Sequence, residues 1–373
     1  MAASVPSMLS VGLPRRKNSN TFRRVDPVAD PARILIRMPT WVGDAVMATA
    51  ALRAVRRSQP AAHVALMGAS HLEPLLDDAS LFDEWVSTSS GTGKVSENVS
   101  SISTFGADVG LVFPHSFRTA WELWRGGVPR RIGFARQGRG WLLTDPLLPH
   151  RLPAGRRAIP MHHEYLEVVA PLGASGDGQG SILGVSDQVA ASASARLSAL
   201  SVRSDRRWVG FHPGAAFGPS KIWPLDRMAD VARTLRDQDG CGLLITCGPG
   251  EEALASELRV LIGGDVVDLS EDLWPLDQLK YLMGQLALLV TGDTGPRHIA
   301  AGMGTPQVVL MGPTSPDYTD AHLEITSVIR REDVDCSPCQ MKVCPLEHHR
   351  CMTLIEPQQV IDEARHWLQR ESR

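Results

Sequence analysis

Residues 33–57 read RILIRMPTWVGDAVMATAALRAVRR, and this stretch decides the fold that the sequence predicts. The apolar run 34–36 predicts a buried strand, and the alanine-rich segment 45–57 predicts a helix shortly after it. The same order, an apolar strand followed by Gly-Asp and an alanine-containing helix, recurs around Gly292 and Asp293. Strands that alternate with helices in this way are typical of βαβ units with a parallel sheet.

Similar strands and helices follow on both sides of a Gly/Ser-rich stretch near residue 175. The further predicted strands are 63–67, 109–113, 208–211, 243–246, 288–290 and 308–310. The further predicted helices are 190–199, 225–238, 251–261 and 275–286. We therefore expect an α/β protein of two domains, joined by a linker and separated by a cleft. The expected divisions are an unstructured extension at 1–32, a first domain at 33–175, a linker at 176–206, a second domain at 207–356 and a final helix within 357–373.

The composition is that of an ordinary globular protein, with 43% hydrophobic and 21% charged residues in a chain of 373. The 38 basic and 41 acidic side chains give a net charge of −3, which provides no overall field to attract nucleic acid or a membrane. No apolar run approaches the roughly 18 residues that cross a bilayer, and we expect no secretory signal. Six cysteines in so long a chain predict a reduced, cytoplasmic, soluble protein. Basic runs before residue 25 leave weak attraction to an anionic membrane as an alternative for the extension.

The first motif that could carry chemistry is the loop PTWVGDA at 39–45, between the first strand and its helix. Open α/β sheets present ligand-contacting groups at this position. A carboxylate held there, Asp44, could act as a general base, or it could simply cap the helix by accepting backbone N–H groups. The neighbouring Trp41 is either part of the core or a platform for the face of a sugar.

The second motif is the loop HPGAAFGPSKIWP at 212–224, which joins a predicted strand to a helix. Glycine allows close approach to the backbone, and the ammonium group of Lys221 beside free N–H groups suits a phosphate. The spacing is not that of a P-loop, and most loops rich in Gly and Pro bind nothing. Both interpretations stay open from this loop alone.

The third motif is TGDTGPRHIAA at 291–301, again at the end of a predicted strand. Pro296 is expected as the first helical residue, so free N–H groups and the positive end of the helix dipole would face a diphosphate. Asp293 could be no more than a cap for this helix. His298 lies in the predicted first turn and is expected to face the same mouth.

Arginine is concentrated in one part of the first domain, where nine arginines lie within residues 118–157 and tryptophans are interleaved with them. Such a stretch is typical of a solvated face, but the fork of the guanidinium also suits an acceptor bearing phosphates or carboxylates. Nucleic acid is disfavoured by the balanced charge of the whole chain.

A cysteine cluster lies late in the second domain. Four of the six cysteines fall within sixteen residues: Cys336, Cys339, Cys344 and Cys351. One CxxC with two further cysteines resembles a structural zinc site, and a loop of reduced thiols is the competing interpretation. The Asp-x-Asp tripeptides at 237–239 and 333–335 are expected to be surface charge rather than metal ligands.

Taken together, these segments resemble the ADP-heptose:lipopolysaccharide heptosyltransferases of glycosyltransferase family 9. The matching pieces are PTWVGDAVMATAALRAVR, LVFPHSFRTAWELWRGGVPRRIGF, GFHPGAAFGPSKIWPLDRMADVA, VTGDTGPRHIAAGMGTPQVVLMGPTSPDYT and the cysteine-rich tail. The resemblance runs from about residue 33 to about residue 367. It implies a GT-B fold, in which two Rossmann-like domains with parallel sheets face each other across a cleft. It also implies that the acceptor binds the first domain, that the nucleotide sugar binds the second, and that a final helix at Pro357–Arg370 packs back towards the first.

Residue by residue, the resemblance implies that Asp44 is the catalytic base and that Lys221 contacts the donor phosphates. The other donor-binding residues that it implies are Gly214, Ser220, Glu252, Asp293, Thr294, Gly295 and His298. The acceptor-binding residues that it implies are Trp41, Gly43, Ser116 and Arg118. The sequence departs from the family pattern at His115, where Asn is common, and at Pro296, where Leu is common.

The implied activity is inverting, metal-independent transfer of heptose from ADP-heptose to a lipopolysaccharide inner-core acceptor, with no cofactor required. The resemblance also implies a cytoplasmic enzyme in peripheral contact with the inner membrane, without a nucleic-acid partner. Two other functions stay open. One is a GT-B enzyme that transfers or epimerises another nucleotide sugar, and the other is a nucleotide-sugar-binding protein without turnover.

Overall fold

Two six-stranded sheets organise the protein in the computed structural model, which describes residues 30–77, 80–89, 94–152, 155–156, 159–319 and 321–370. The first sheet contains β1 (Arg33–Arg37), β2 (His63–Gly68), β3 (Glu84–Ser87), β4 (Val109–Val112), β5 (Arg130–Phe134) and β6 (Asp145–Leu147). A short antiparallel ribbon follows, formed by β7 (Arg151–Leu152) and β8 (Gly155–Arg156). The second sheet contains β9 (Trp208–His212), β10 (Gly242–Ile245), β11 (Val267–Asp268), β12 (Leu288–Gly292), β13 (Gln307–Leu310) and β14 (Thr326–Ile329). The expected extension before residue 30 and residues 371–373 lie outside the described residues.

Helices alternate with the strands along both halves of the chain. Those of the first half are α1 (Val42–Ser58), α2 (Glu73–Leu76), α3 (Val95–Phe105), α4 (Phe117–Arg125) and α5 (Met161–Val169). Those that follow are α6 (Asp187–Ala199), α7 (Leu225–Asp237), α8 (Glu252–Ile262), α9 (Leu276–Gln285), α10 (Gly295–Gly302), α11 (Arg350–Thr353) and α12 (Pro357–Arg370). Short 3-10 turns include Arg139–Leu142 and Pro219–Lys221. Within the described ranges, no helix combines the length and the apolar character needed to cross a bilayer.

Both sheets are parallel and doubly wound. The strand order across the first sheet is β3-β2-β1-β4-β5-β6, and the order across the second is β11-β10-β9-β12-β13-β14. The direction of winding reverses between β1 and β4 in the first sheet and between β9 and β12 in the second, which opens a crevice at their carboxyl ends. The α/β fold with two parallel sheets, expected from the alternation of strands and helices, is confirmed. The same strand order in both sheets accounts for the similar order of strand, Gly-Asp and helix in the two halves of the sequence.

The central strands are apolar because helices cover both faces of each sheet. Every residue of β4, β9 and β12 is buried, and so are four of the five residues of β1. Each strand predicted from an apolar run is present, with ends shifted by at most two residues. Each predicted helix is present with ends shifted by at most three, and α1 begins at Val42 rather than at residue 45.

The two domains share an apolar core in which α1 meets α10 and α2 meets α9. At the first contact, Gly302 packs so closely that a Cβ built on it would lie 3.3 Å from Cγ1 of Val46. At the second contact, the buried ammonium of Lys280 donates to the backbone carbonyl of Leu75 at 3.1 Å. The expected linker at 176–206 contains α6, which packs on α9.

The final helix, α12, packs on the second domain against α7, β12, β13 and β14. Its buried residues are Val360, Ile361, Ala364, Trp367 and Leu368. These side chains complete the apolar core of the second sheet, and Arg365 of this helix pairs with Asp239 at 3.0 Å. These partners all belong to the second domain, and the apolar stripe of the helix covers part of one face of the second sheet; the expected packing towards the first domain is not among these contacts.

Candidate functional site

A cavity of about 360 Å³ lies between the two domains, where β1, β9 and β12 end. The first domain contributes Trp41, Val42, Gly43, Asp44 and Met47. The charged, polar and small residues contributed by the second domain include His212, Lys221, Cys247, Glu251, Asp293, Thr294, Gly295 and His298. The cavity therefore brings together parts of all three sequence motifs at the place where doubly wound sheets bind ligands.

Asp44 is the third residue of α1 and faces this cavity. The residue preceding the helix is Trp41, and no side-chain hydrogen bond caps this end, so the interpretation of Asp44 as a helix cap is wrong. Burial, and then the negative charge of Asp293, raise the pKa of Asp44 to about 6, against the opposing effect of Lys221. Trp41 is 53% exposed at the mouth of the cavity and is not part of the core.

Asp293 holds two cations in place at the opposite wall. The ammonium of Lys221 donates to the Asp293 backbone carbonyl at 2.6 Å and to its carboxylate at 3.0 Å. Arg297 and Thr314 donate to the same carboxylate, each at 2.7 Å. Burial would raise the pKa of Asp293, but Arg297 and Lys221 outweigh it and hold that pKa well below its usual range. Thr294, not Asp293, precedes the helix.

Helix α10 begins at Gly295, so Pro296 is its second residue and not the first as expected. The positive end of this helix is directed at the cavity, since Thr294, Gly295 and Pro296 all line it. Lys221 adds a cation beside it and lies 4.8 Å from the centroid of the Phe217 ring. This wall combines an ammonium with helix N–H groups, which is the chemistry that binds phosphate.

His298 lies in the first turn of α10 and lines the cavity as expected. Burial, and then the charge of Arg297, lower the pKa of His298 to about 3, so its imidazole is neutral at physiological pH. The ring packs on the backbone of Gly43, where a built Cβ would lie 2.6 Å from His298 Cδ2. Gly43 therefore lets the two domains approach each other at the site.

Glu251 is a residue of the site that the sequence analysis missed, since the resemblance implied its neighbour Glu252. The Glu251 carboxylate lines the cavity, accepts from the N–H of Gly248 at 2.8 Å and lies 3.2 Å from His212 Nε2. Burial would raise the pKa of Glu251, but the hydrogen bond and charge of His212 hold it below its usual value. A Cβ on Gly214 would lie 2.2 Å from Cδ of Glu251, which accounts for glycine there.

Five residues implied by the resemblance lie outside the lining of this cavity: Gly214, Glu252, Ser220, Ser116 and Arg118. The hydroxyl of Ser220 is buried and donates to the carbonyl of Met341 at 2.6 Å, so it anchors the cysteine-rich segment. Ser116 is the N-cap of α4. Arg118 is the second residue of the same helix and pairs with the buried Glu122 at 3.6 Å.

Most of the described arginines in the arginine-rich stretch support the fold. Arg139 is buried and donates to two backbone carbonyls at 2.9 Å. Arg136 pairs with the buried Glu164, and Arg130 pairs with Asp145 at 3.1 Å. The arginines beyond residue 150 lie outside the side chains that the structure describes. The stretch is therefore neither a simple solvated face nor a continuous basic surface.

The four clustered cysteines are neighbours, and all are free thiols. Burial, and then the nearby thiols at 339, 336 and 344, raise the pKa of Cys351 to about 11. Its sulfur packs in the apolar core, where a Cβ built on Gly312 would lie 2.8 Å from it. Within the described part of the chain, no three His, Cys, Asp or Glu side chains are arranged to hold a metal ion, so the arrangement of a structural zinc site is not found there.

Comparison with known proteins agrees with this arrangement. Residues 100–350 match the family model of glycosyltransferase family 9 (heptosyltransferase). The chain is 28% identical over 344 residues to lipopolysaccharide heptosyltransferase 2 of Escherichia coli (strain K12), covering 89% of this chain and 97% of that protein.

Two solved structures share the fold. The E. coli ADP-heptose lps heptosyltransferase II matches with a TM-score of 0.75 and 26% identity, covering 91% of this chain and all of that one. The glycosyl transferase family 9 protein from Veillonella parvula DSM 2008 matches with a TM-score of 0.76 and 20% identity, covering 91% and 97% of the two chains. The match to the E. coli structure extends the likeness of sequence to the GT-B arrangement of both domains.

Proposed function

The chain belongs to glycosyltransferase family 9, the heptosyltransferases, and from this premise we propose that it transfers heptose from ADP-heptose to the inner core of a lipopolysaccharide. The donor and the lipopolysaccharide are those named for the E. coli proteins that it resembles over most of its length. The proposed site residues are Asp44 for catalysis, the wall around Lys221 and Asp293 for the donor, and Trp41 with Gly43 for the acceptor side.

One observation carries the proposal. A carboxylate of raised pKa, Asp44, shares the cavity between the domains with a wall of Lys221, Asp293 and the start of α10. Glycosyl transfer from a nucleoside diphosphate sugar needs these two functions close together. A base must accept the proton of the acceptor hydroxyl, and cations or N–H groups must stabilise the departing diphosphate.

In the proposed reaction, Asp44 accepts the proton of an acceptor hydroxyl as that oxygen attacks the anomeric carbon of the heptose. The bond from this carbon to the diphosphate oxygen breaks, and ADP leaves with the electron pair. Attack from the face opposite the leaving group inverts the anomeric centre. A pKa of about 6 keeps Asp44 ionised at neutral pH and makes it a stronger base than an exposed carboxylate.

The second domain stabilises the leaving group. The Lys221 ammonium uses two contacts on Asp293, which fix it at the cavity wall, and it retains donor capacity towards a phosphate. Backbone N–H groups at the start of α10 add the helix dipole. His298 is neutral and can donate one hydrogen bond without adding charge. Preorganised groups of this kind support a mechanism without a divalent metal ion.

We extend the proposal to the organisation of the enzyme. The first domain, within 33–175, would hold the acceptor, and the second, within 207–356, would hold the nucleotide sugar. Ser116 and Arg118 would reach only the distal part of a large acceptor, since neither lines the cavity. The enzyme would act at the cytoplasmic face of the inner membrane, where a lipid-linked acceptor is available.

A donor screen tests the proposed function. Purified protein is incubated with a delipidated inner-core acceptor and with ADP-heptose, ADP-glucose or a UDP-sugar, and release of ADP or UDP is measured. We expect ADP release only with ADP-heptose and only when acceptor is present. Analysis of the product linkage by NMR tests inversion. Release of UDP, or epimerised sugar without transfer, would favour the other enzymatic functions.

A further inference from the structure

Exposed aromatic rings form a face on the first domain. Phe117 and Trp124 of α4 and Trp141 of the turn Arg139–Leu142 are 39%, 42% and 66% exposed. The ring centroid of Trp141 lies 6.2 Å from that of Phe117 and 6.0 Å from that of Trp124. We call these three residues the aromatic face. On soluble proteins, large contiguous apolar patches rimmed by polar residues mark interaction sites.

A cation belongs to the same surface. The guanidinium carbon of Arg125 lies 5.8 Å from the ring centroid of Trp121 and 5.9 Å from that of Trp124. Arg125 is exposed, whereas Arg118 on the same helix is paired with a buried glutamate. Phe117, Trp121 and Trp124 follow the i, i+4, i+7 spacing that places side chains on one side of a helix. The surface therefore combines apolar rings with a guanidinium directed at solvent.

The aromatic face lies on the acceptor side of the cavity. Helix α4 starts just beyond the carboxyl end of β4, and β4 is the neighbour of β1, whose carboxyl end leads to Asp44. Adjacent strands are only about 4.8 Å apart, so Phe117 and Asp44 belong to neighbouring parts of one sheet edge. The start of α4, with Phe117, therefore lies on the same carboxyl-end edge of the first sheet as the start of α1, with Asp44.

We propose that the aromatic face docks the enzyme on a bilayer surface with anionic headgroups. Tryptophan and phenylalanine rings are favoured at the boundary between headgroups and acyl chains, and arginine pairs with lipid phosphates. Charge argues against residues 1–29 as the occupant, because this segment carries five basic residues and one acidic residue and would be repelled by Arg125. The docking role rests on the proposed function, since a lipid-linked acceptor would then present its sugar next to Asp44.

Vesicle sedimentation of the full chain tests this surface. The vesicles contain phosphatidylethanolamine with phosphatidylglycerol, and pure phosphatidylcholine vesicles provide the neutral comparison. The variants are Trp124→Ser/Trp141→Ser for the rings and Arg125→Glu for the charge. The matched control, Arg259→Glu/Val260→Ser, changes an exposed arginine and an exposed apolar side chain on α8 of the second domain. Thermal unfolding of each variant confirms that it is folded.

We expect the unaltered protein and the control to sediment with anionic vesicles. The ring variant should lower the partition coefficient at least tenfold, and Arg125→Glu should lower it at low salt and much less at high salt. The proposal is overturned if the unaltered protein stays in solution or if the ring variant sediments equally well. It is also overturned if the ring variant instead disperses a dimer, or raises KM for a delipidated acceptor with vesicle binding intact.

ADP release with the delipidated acceptor separates this inference from the proposed function. Every variant should release ADP from ADP-heptose at the rate of the unaltered protein, because that acceptor needs no membrane. If the unaltered protein sediments with vesicles but releases no ADP, the proposed function fails and the docking surface remains. If it releases ADP but does not sediment, only the docking surface fails.

Discussion

The imidazole of His298 occupies the space that any side chain on Gly43 would need, with His298 Cδ2 only 2.6 Å from the position of a Cβ. Gly43 precedes the proposed base Asp44 on the first domain, and His298 lies in the first turn of α10 on the second. The contact therefore sets how closely the base approaches the donor wall.

Gly43→Ala should separate the two walls and reduce turnover more than it reduces ADP affinity. A methyl group forced into a packed contact costs about 1–3 kcal/mol, and here it would displace the His298 ring that lines the cavity. Steady-state kinetics with ADP-heptose, together with calorimetry with ADP, measure the two effects. Gly284→Ala is the control, since the tight contact of its Cβ is with the flexible end of Met303 at 3.1 Å, and the Met303 Cβ lies at an ordinary 3.6 Å. Unchanged kcat in Gly43→Ala would show that the His298 ring can move aside and that its contact with Gly43 does not set the distance between the two walls.

Lys221→Ala should weaken binding of ADP and ADP-heptose together. The expected loss is about 1.5–3 kcal/mol for a charge-assisted hydrogen bond, measured by isothermal titration calorimetry. Lys342→Ala is the matched control, because its ammonium lies 6.0 Å from the same Phe217 ring and its side chain is exposed. An equal loss in both variants would show that general charge, and not a contact at the cavity wall, attracts the nucleotide.

Glu251 and Glu252 are adjacent and chemically identical, so substituting each one tests which glutamate belongs to the donor site. Only Glu251 lines the cavity and holds both His212 and the Gly248 N–H. Glu251→Gln should therefore weaken donor binding by about 1–3 kcal/mol, because a buried acceptor is replaced in part by an amide donor. Glu252→Gln should bind ADP-heptose normally. The reverse result would restore the residue that the family resemblance implied.

Transfer should continue in EDTA without added divalent ions, because Lys221 and the start of α10 supply the positive charge at the leaving group. ADP release in the presence of EDTA, with and without Mg²⁺ or Mn²⁺, measures this. Activity that disappears with EDTA and returns with either ion would contradict the proposed role of these groups.

The sequence predicts the fold well where burial leaves a strong pattern. Strands β1, β4, β9 and β12 are buried on both faces and appear as short apolar runs. Strand β5 has the sequence RRIGF and the edge strand β3 has the sequence EWVS. The sequence does not predict either strand, because polar residues interrupt the apolar pattern. These residues contact other parts of the folded protein or face solvent.

The site was predictable in its loops and less so in its individual contacts. Asp44, Lys221, Asp293 and His298 follow strand ends, and the topology of a doubly wound sheet is sufficient to bring them together. The choice between Glu251 and Glu252 depends on the turn at Gly248–Gly250, which helical periodicity does not specify. Ser220 was misplaced because its hydroxyl pairs with a carbonyl 121 residues later in the chain.

The raised pKa of Asp44 leads to a prediction about stability. Its pKa is about 6 in the folded protein, against about 3.9 for an unperturbed aspartate, so the folded state binds this proton more tightly than the unfolded chain. Below about pH 4 Asp44 is protonated in both states and therefore does not change the free energy of unfolding. Above about pH 6 its ionised side chain lowers the free energy of unfolding by the full amount. Asp44→Asn should raise the free energy of unfolding by up to about 3 kcal/mol at pH 7.5 and have little effect at pH 3.5. Denaturant unfolding at both pH values measures the difference.

The same variant should lose activity while it gains stability, which is the pattern of a residue kept for chemistry. Loss of a general base costs about a hundredfold or more in kcat, and ADP affinity should change little because the donor wall is intact. In the unaltered enzyme, kcat/KM should fall about tenfold per pH unit below pH 6, as protonation removes the base. In Asp44→Asn the residual rate should be flat over this range. A variant that is stabilised at pH 7.5 yet keeps full kcat would show that the buried charge of Asp44 does not take part in the reaction.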